Sequence, residues 1–463
     1  MKKNVRNVVP APLTHGGTPA VRINAEAQLR RSVLSTLLWE GQYYENGQSI
    51  ADRIQTLSAQ VDPATVAALA VEAREVQKLR HVPLLLAASL APRGGAVVGD
   101  TIARVIQRAD ELAEFLAIYW GTDLTAPSAP KGKTKGKATV RKAVSTRPAP
   151  LSKQVKRGLA QAFTKFDGYQ LAKYNRDAAI KLRDVLFLTH AKPKDEAQAR
   201  LWKQLVDGTL ASADTWEVAL SAGKDKAQEW TRLLTEGKLG YLALLRNLRG
   251  MEQAGVSKAL IEKALLARKG ADKVLPFRFI AAAKAAPGFE PQLDQALIAS
   301  IQDMPQFSGR TVILVDVSGS MDAKLSAKSD LTRMDAAAAL AAVFPGQTEV
   351  YSFSSRLVQV PARKGMAGVE AIVRSQQHGC TALAQAVADI NRKGGFDRLV
   401  VITDEQATDG RVPAPAVDKA YMINVASAKN GVGYGAWIHI DGFSEGVLRW
   451  MAEYEKQKDE LEA

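Results

Sequence analysis

From Ala25 to about Met304 the apolar residues return at intervals of three and four, the spacing that gathers one stripe on an α-helix. The stripe is plain at 64–80, where Val66, Leu69, Ala70 and Ala73 fall on one face, and it recurs at 100–119, 175–189, 196–206, 238–248, 257–267 and 292–302. Asp100, Asp195 and Ser257 stand where N-caps belong, since a short oxygen side chain can accept from the first free helical N–H groups. Connections are short, strand patterns are lacking, and no strict repeat is present. The expectation is antiparallel helix pairs stacked as an α-solenoid.

After Pro305 the rhythm changes. Short apolar runs at 310–316, 348–353, 398–404, 420–425 and 435–440 alternate with helical stretches at 334–343 and 381–391, and a closing helix is expected over 444–454. Strands alternating with helices predict a mostly parallel, doubly wound sheet, whose ligands gather at the carboxyl ends of the strands. The chain therefore divides into an N-terminal segment at 1–24, a helical repeat domain at 25–305 and an α/β domain at 306–463.

A length of 463 residues exceeds one compact core, and 46% hydrophobic residues suffice for two. The single cysteine, Cys380, has no internal partner and fits a reducing compartment. Lys2, Lys3 and Arg6 are followed by Pro10, Pro12 and Gly16 rather than by an apolar run, unlike a signal peptide. No stretch reaches the ~20 apolar residues of a spanning helix. A cytoplasmic location is expected. The net charge of +14 belongs to the first part of the chain: up to Pro305 there are 45 Lys and Arg against 29 Asp and Glu, and beyond it 17 against 19. Eleven basic residues and no acidic one fall within 124–166. The Pro, Gly and Lys-rich stretch at 126–150 has almost nothing to bury and should be an unstructured insertion, either a solvated spacer or a phosphate-binding arm.

The first strand of the α/β domain runs into Asp316-Val-Ser-Gly-Ser320, which puts three oxygen side chains in one tight loop that Gly319 lets turn. Thr381 precedes a helix, and Asp404 ends a strand. A hard divalent cation such as Mg²⁺ takes an octahedron of oxygens, with one or two carboxylates and hydroxyls or water in the other places. Capping or turn formation explains each loop singly but not all three together. The set Asp316, Ser318, Ser320, Thr381 and Asp404 resembles the metal-ion-dependent adhesion site of von Willebrand factor A domains in all five positions and their order. One departure is Cys380, where that family usually has Gly. The resemblance implies a bound divalent metal whose open sixth position takes a partner's carboxylate. Cys380 and His378 lack an evident third group for nucleophilic catalysis, and no Gly-x-x-x-x-Gly-Lys-Ser/Thr loop supports nucleotide hydrolysis.

In the helical part, Tyr43-Tyr44-Glu-Asn-Gly47, Arg183-Asp-Val-Leu-Phe-Leu-Thr-His-Ala-Lys-Pro193, Leu239-Gly-Tyr-Leu-Ala-Leu-Leu-Arg-Asn-Leu248 and Val274-Leu-Pro-Phe-Arg-Phe-Ile280 resemble segments of the TROVE module of telomerase-associated, Ro and vault proteins. With one metal domain behind it, the whole chain resembles a bacterial Ro protein. That resemblance implies a HEAT-like helical repeat ring closed by the von Willebrand A-type, Rossmann-like domain. It implies a ribonucleoprotein scaffold, not an enzyme, with a Y-type RNA on the outer face and single-stranded ends of misfolded or immature noncoding RNA in the central hole, working beside an exoribonuclease. It also places RNA contacts at Lys173, Arg176, Lys181 and His190, types that also fit plain surface. Tyr43 and Tyr44 fit core packing or base stacking. Arg246 and Asn247 interrupt an apolar run as an inner rim would. The rival function is a protein-binding adaptor without RNA; a metal-dependent hydrolase is a third.

Overall fold

The computed structural model describes residues 12–14, 17–20, 23–34, 46–77, 79–121, 150–175, 178–211, 225–274, 276–302, 306–324, 331–426, 428, 430–442, 447–448, 451–452, 454–456 and 459. The basic insertion, apart from Pro150, and Tyr43, Tyr44 and Arg176 lie outside them. The chain forms two compact units, one of Ile54–Ala222 and one of Met1–Arg53 with Gly223–Ala463.

Helices α1 (Ala25–Leu34) and α2 (Gly47–Gln60) open the chain, and the smaller unit then holds α3 (Pro63–Glu75), α4 (His81–Leu90), α5 (Ala96–Val105), α6 (Asp110–Trp120), α7 (Lys153–Phe163), α8 (Gly168–Tyr174), α9 (Leu182–Thr189) and α10 (Glu196–Asp207). Here α3 packs on α5, α4 on α6, α5 on α7 and α7 on α9, so helices two places apart lie together through most of this unit. That stacking is what a helical repeat requires. Gly99 and Gly158 bring α5 and α7 together: a Cβ on Gly158 would stand 2.8 Å from Ile102 Cβ and 3.0 Å from Gly99 Cα.

Two sequence expectations need correction here. The apolar stripe at 100–119 is not one helix, and Asp100 is not a cap but lies inside α5. Buried Glu111 makes the break possible, because its Oε2 accepts the Gln107 and Arg108 N–H groups at 2.8 and 3.0 Å while Arg74 donates to both its oxygens. The stripe at 175–189 likewise forms a helix only from Leu182, because the Asp184 carboxylate accepts the Lys181 N–H at 2.8 Å and starts the helix there. Asp195 does cap α10, accepting the Gln198 N–H at 2.7 Å. Ser257 occupies the N-cap position without a side-chain cap bond.

The larger unit continues with α11 (Lys226–Thr235), α12 (Tyr241–Gln253), α13 (Lys258–Ala267), α14 (Pro276–Ala285) and α15 (Glu290–Gln302). It then forms a six-stranded sheet from β1 (Arg310–Asp316), β2 (Gln347–Phe353), β3 (Leu357–Val360), β4 (Arg398–Thr403), β5 (Lys419–Asn424) and β6 (Ile438–Asp441), with α16 (Arg333–Val343), α17 (Gly365–Val373) and α18 (Leu383–Lys393) between strands. Strand order is β3-β2-β1-β4-β5-β6; all pairs are parallel except β2 with β3. This is a doubly wound sheet with its switch point between β1 and β4. Every residue of α16 is buried, since it lies against β1, α14 and α17. Strand β3 and helix α17 are additions to the elements expected from the apolar pattern.

Candidate functional site

Both strands at the switch point end in a carboxylate. Asp316 closes β1 and Asp404 follows β4, and both are fully buried. Three loops meet there. The Gly319 N–H donates to Gly379 O at 3.0 Å, joining the Asp316 loop to the Thr381 loop, and the Thr408 N–H donates to Thr381 O at 3.0 Å, joining the Thr381 loop to the Asp404 loop. Thr403 Oγ1 closes the triangle by donating to Asp316 Oδ2 at 2.6 Å. Ser318 and Ser320 sit with their hydroxyl oxygens 3.3 Å apart, and Ser318, Ser320 and Thr381 are all at most 5% exposed. All five residues expected at the site are thus brought to one edge of the sheet.

The electrostatics are those of an anionic pocket. Burial, then the charge of Asp404, pushes the Asp316 carboxyl up to about 7, although hydrogen bonds from Ser318 and Thr403 oppose the shift. Burial raises Asp404 as well, against a hydrogen bond from Ser320, the Gln406 N–H at 3.2 Å from Oδ1, and the charge of Arg333. Asp404 Oδ2 is buried with no hydrogen-bond partner among the described residues. An oxygen in that condition is costly unless something outside the chain satisfies it. Two carboxylates, one of them with an orphaned oxygen, and three hydroxyls can hold a hard divalent cation.

Sequence reasoning did not single out Thr403, Gln406 or Ser354. Ser354 accepts the Gly379 N–H at 2.7 Å and donates to Cys380 O at 3.2 Å, which fixes the loop that leads into Thr381. A hydroxyl at the end of a buried strand was the available signal for Thr403. No catalytic dyad forms at Cys380: its Sγ lies 3.5 Å from Ser355 Oγ, while His378 lies 3.5 Å from Asp322 through Nδ1 and 3.0 Å from Val373 O through Nε2.

In the smaller unit, half-buried Lys173 ends α8 with Nζ 5.7 Å from the Tyr174 ring, and half-buried Lys181 starts α9. Exposed His190 closes α9 in the left-handed region, φ 53°. Lys181 and His190 are thus separated by the length of α9, roughly 12 Å, and form a strip rather than one cluster. Arg108 stands over the Tyr174 ring at 4.7 Å, a cation and aromatic face beside Lys173 that no local pattern pairs. In the larger unit Arg246 is exposed on α12, and the half-buried Asn247 side chain donates to Ala243 O at 2.8 Å.

Residues 200–336 match the TROVE domain family. That match covers under a third of the chain. An 89-residue segment is 35% identical to telomerase protein component 1 of Mus musculus and 34% to that of Rattus norvegicus, covering 18% of this chain. The chain spans about 3% of the length of those curated relatives. The crystal structure of the Deinococcus radiodurans Ro (RSR) protein superposes with a TM-score of 0.57 at 18% identity, covering 94% of this chain and all of that one. The chain therefore shares the fold of that structure, helical repeats followed by a doubly wound domain. No helix among its described residues is long and apolar enough to cross a membrane.

Proposed function

We propose that the chain is a Ro-type RNA-binding scaffold, not an enzyme, that captures noncoding RNA in the cytoplasm. The TROVE match at 200–336 is the observation that carries this reading. Following the Ro resemblance, a Y-type RNA sits on the outer face of the helical repeats and single-stranded 3′ ends of misfolded or immature RNA enter a central hole, for quality control or processing beside an exoribonuclease. Lys173, Arg176, Lys181 and His190 are the proposed contacts; cations placed at helix ends meet phosphates, and shape supplies discrimination. Crosslinking the protein in its own cells and sequencing the attached RNA tests the reading. A defined set of structured noncoding RNAs is expected, and protein free of RNA after a moderate salt wash would favour the adaptor instead.

In the same reading Asp316, Ser318, Ser320, Thr381 and Asp404 hold Mg²⁺. The support is the unpartnered, buried Asp404 Oδ2 and the two mutually repelling carboxylates, which a divalent cation relieves together. When bound, the ion supplies an electrophilic position for an anionic group of a partner. The protein orients the ligand set: Thr403 fixes Asp316, the Gln406 N–H fixes Asp404, and Thr408 fixes the Thr381 loop. Calorimetric titration of chelator-treated protein with Mn²⁺ and Mg²⁺ tests this, with one site per chain expected; absence of binding would refute it.

A further inference from the structure

We infer that the N-terminal segment is a working part of the metal centre, with Arg31, Thr14 and Thr18 acting as positioning residues for the loop that carries Asp404. The inference rests on the metal reading above and goes beyond it, because none of these residues belongs to the ligand set and all come from the opposite end of the chain.

The loop after β4 is held from both sides. On one side it is tied to the Thr381 loop through Thr408. On the other side Thr14 Oγ1 and Thr18 Oγ1 both donate to the single carbonyl oxygen of Ala407, at 3.0 and 2.9 Å, and both threonines are buried. Asn430 Nδ2 donates to Leu13 O at 2.9 Å, so the N-terminal segment is itself pinned to the neighbouring loop.

Between these contacts lies Glu405, the residue next to Asp404. It is fully buried and has a φ of 60°, a left-handed conformation that a side chain with a Cβ adopts only under constraint. Its carboxylate supplies the constraint. Oε1 receives Arg31 NH1 at 3.0 Å and lies 2.5 Å from His439 Nε2, while Oε2 accepts the Gly433 N–H at 2.8 Å. Arg31, 1% exposed, also donates from Nε to Ala428 O at 2.6 Å, and Asn430 O accepts from both Arg31 NH2 at 3.5 Å and Gln406 Nε2 at 2.9 Å. A Cβ at Gly431 would strike both the Glu405 carboxylate and the Arg31 guanidinium, so both groups pack directly against that glycine. The helix that carries Arg31 packs on β6. A strained residue locked this way sets the direction in which its neighbour's carboxylate points, and a metal ligand displaced by a fraction of an ångström loses coordination.

The experiment uses the full chain, with Mn²⁺ as probe. Thr14→Val combined with Thr18→Val keeps the shape and removes the two hydroxyls; Arg31→Ala combined with Glu405→Gln removes the buried pair without leaving a lone charge; Arg31→Lys is the conservative rescue. Mn²⁺ affinity is measured by calorimetry and the symmetry of the bound ion by electron paramagnetic resonance, well below the melting temperature in chelator. Expected are a tenfold or greater loss of affinity and a broadened Mn²⁺ spectrum in both double variants, with partial recovery in Arg31→Lys. Folded variants within twofold of wild type with an unchanged spectrum overturn the inference while the metal reading stands. A wild type that binds no Mn²⁺ overturns both. Should the Arg31 and Glu405 pair fail to fold, the threonine variant decides alone.

Discussion

Thr403 Oγ1 donates to Asp316 Oδ2 at 2.6 Å, tying together the ends of the two strands that flank the switch point of the sheet. Thr403 orients the Asp316 carboxylate through Oδ2, while Oδ1 accepts the Ser318 N–H at 2.9 Å and keeps a lone pair for the proposed cation. If the proposed site holds its cation, Thr403→Val should lower Mg²⁺ and Mn²⁺ affinity by about 10–100-fold and Asp316→Ala should abolish binding; calorimetric titration distinguishes the two, and a valine variant that binds like wild type would break this link.

The proposed RNA contacts lie on helices far in sequence from the carboxylates, so Asp316→Ala should lose any rise in melting temperature that Mg²⁺ gives the wild type while keeping RNA affinity within a few-fold of it. Fluorescence anisotropy with labelled single-stranded RNA checks the second half. A large loss of RNA binding in a folded variant would mean that the metal domain takes part in RNA capture.

Deleting 126–150 removes seven basic residues and no acidic one. If that arm meets phosphate, affinity drops and the slope of log K against log salt flattens by about 0.7 for every single-strand phosphate the arm had neutralised. An unchanged slope reduces the segment to a spacer.

Gly158 faces Gly99 across the interface between α5 and α7 with no space for a methyl group. Gly158→Ala should destabilise the protein by about 1–3 kcal/mol through overpacking, read as a lowered urea midpoint. A gain in stability, the usual result of Gly to Ala in an open helix, would show that the two helices can move apart freely.

Arg398 and Glu455 form a buried pair, Arg398 Nε to Oε1 at 2.6 Å, and Tyr421 OH donates to the same oxygen at 2.9 Å. Burial by itself would raise the Glu455 carboxyl, but the hydrogen bonds and charge of Arg398 outweigh it and hold the group below the usual carboxylate range. A depressed carboxyl adds stability above its unfolded value, and that stability is lost as pH falls through the folded one. Glu455→Gln should therefore melt below wild type at neutral pH, with the difference shrinking in acid; a constant gap from pH 7 to pH 3 would contradict the ion pair.

The sequence alone determined what is local. The alternation of apolar runs and helical stripes marked β1, β2, β4, β5 and β6 within a few residues, most plainly β1, β4 and β5, whose burial on both faces calls for nearly continuous apolar runs. The meeting of the Asp316-Val-Ser-Gly-Ser320 loop with Thr381 and Asp404 was equally legible, since the carboxyl ends of neighbouring parallel strands share one edge of a doubly wound sheet. Tertiary structure decided what depends on distant partners. The helix break before Asp110 rests on Glu111 and Arg74, 37 positions apart, and the apolar stripe runs through it unmarked. The anchoring of Glu405 by Arg31 spans 374 positions. Neither residue announces it, because a buried charge reads in sequence like any solvated one until the fold brings its counterpart within hydrogen-bonding distance.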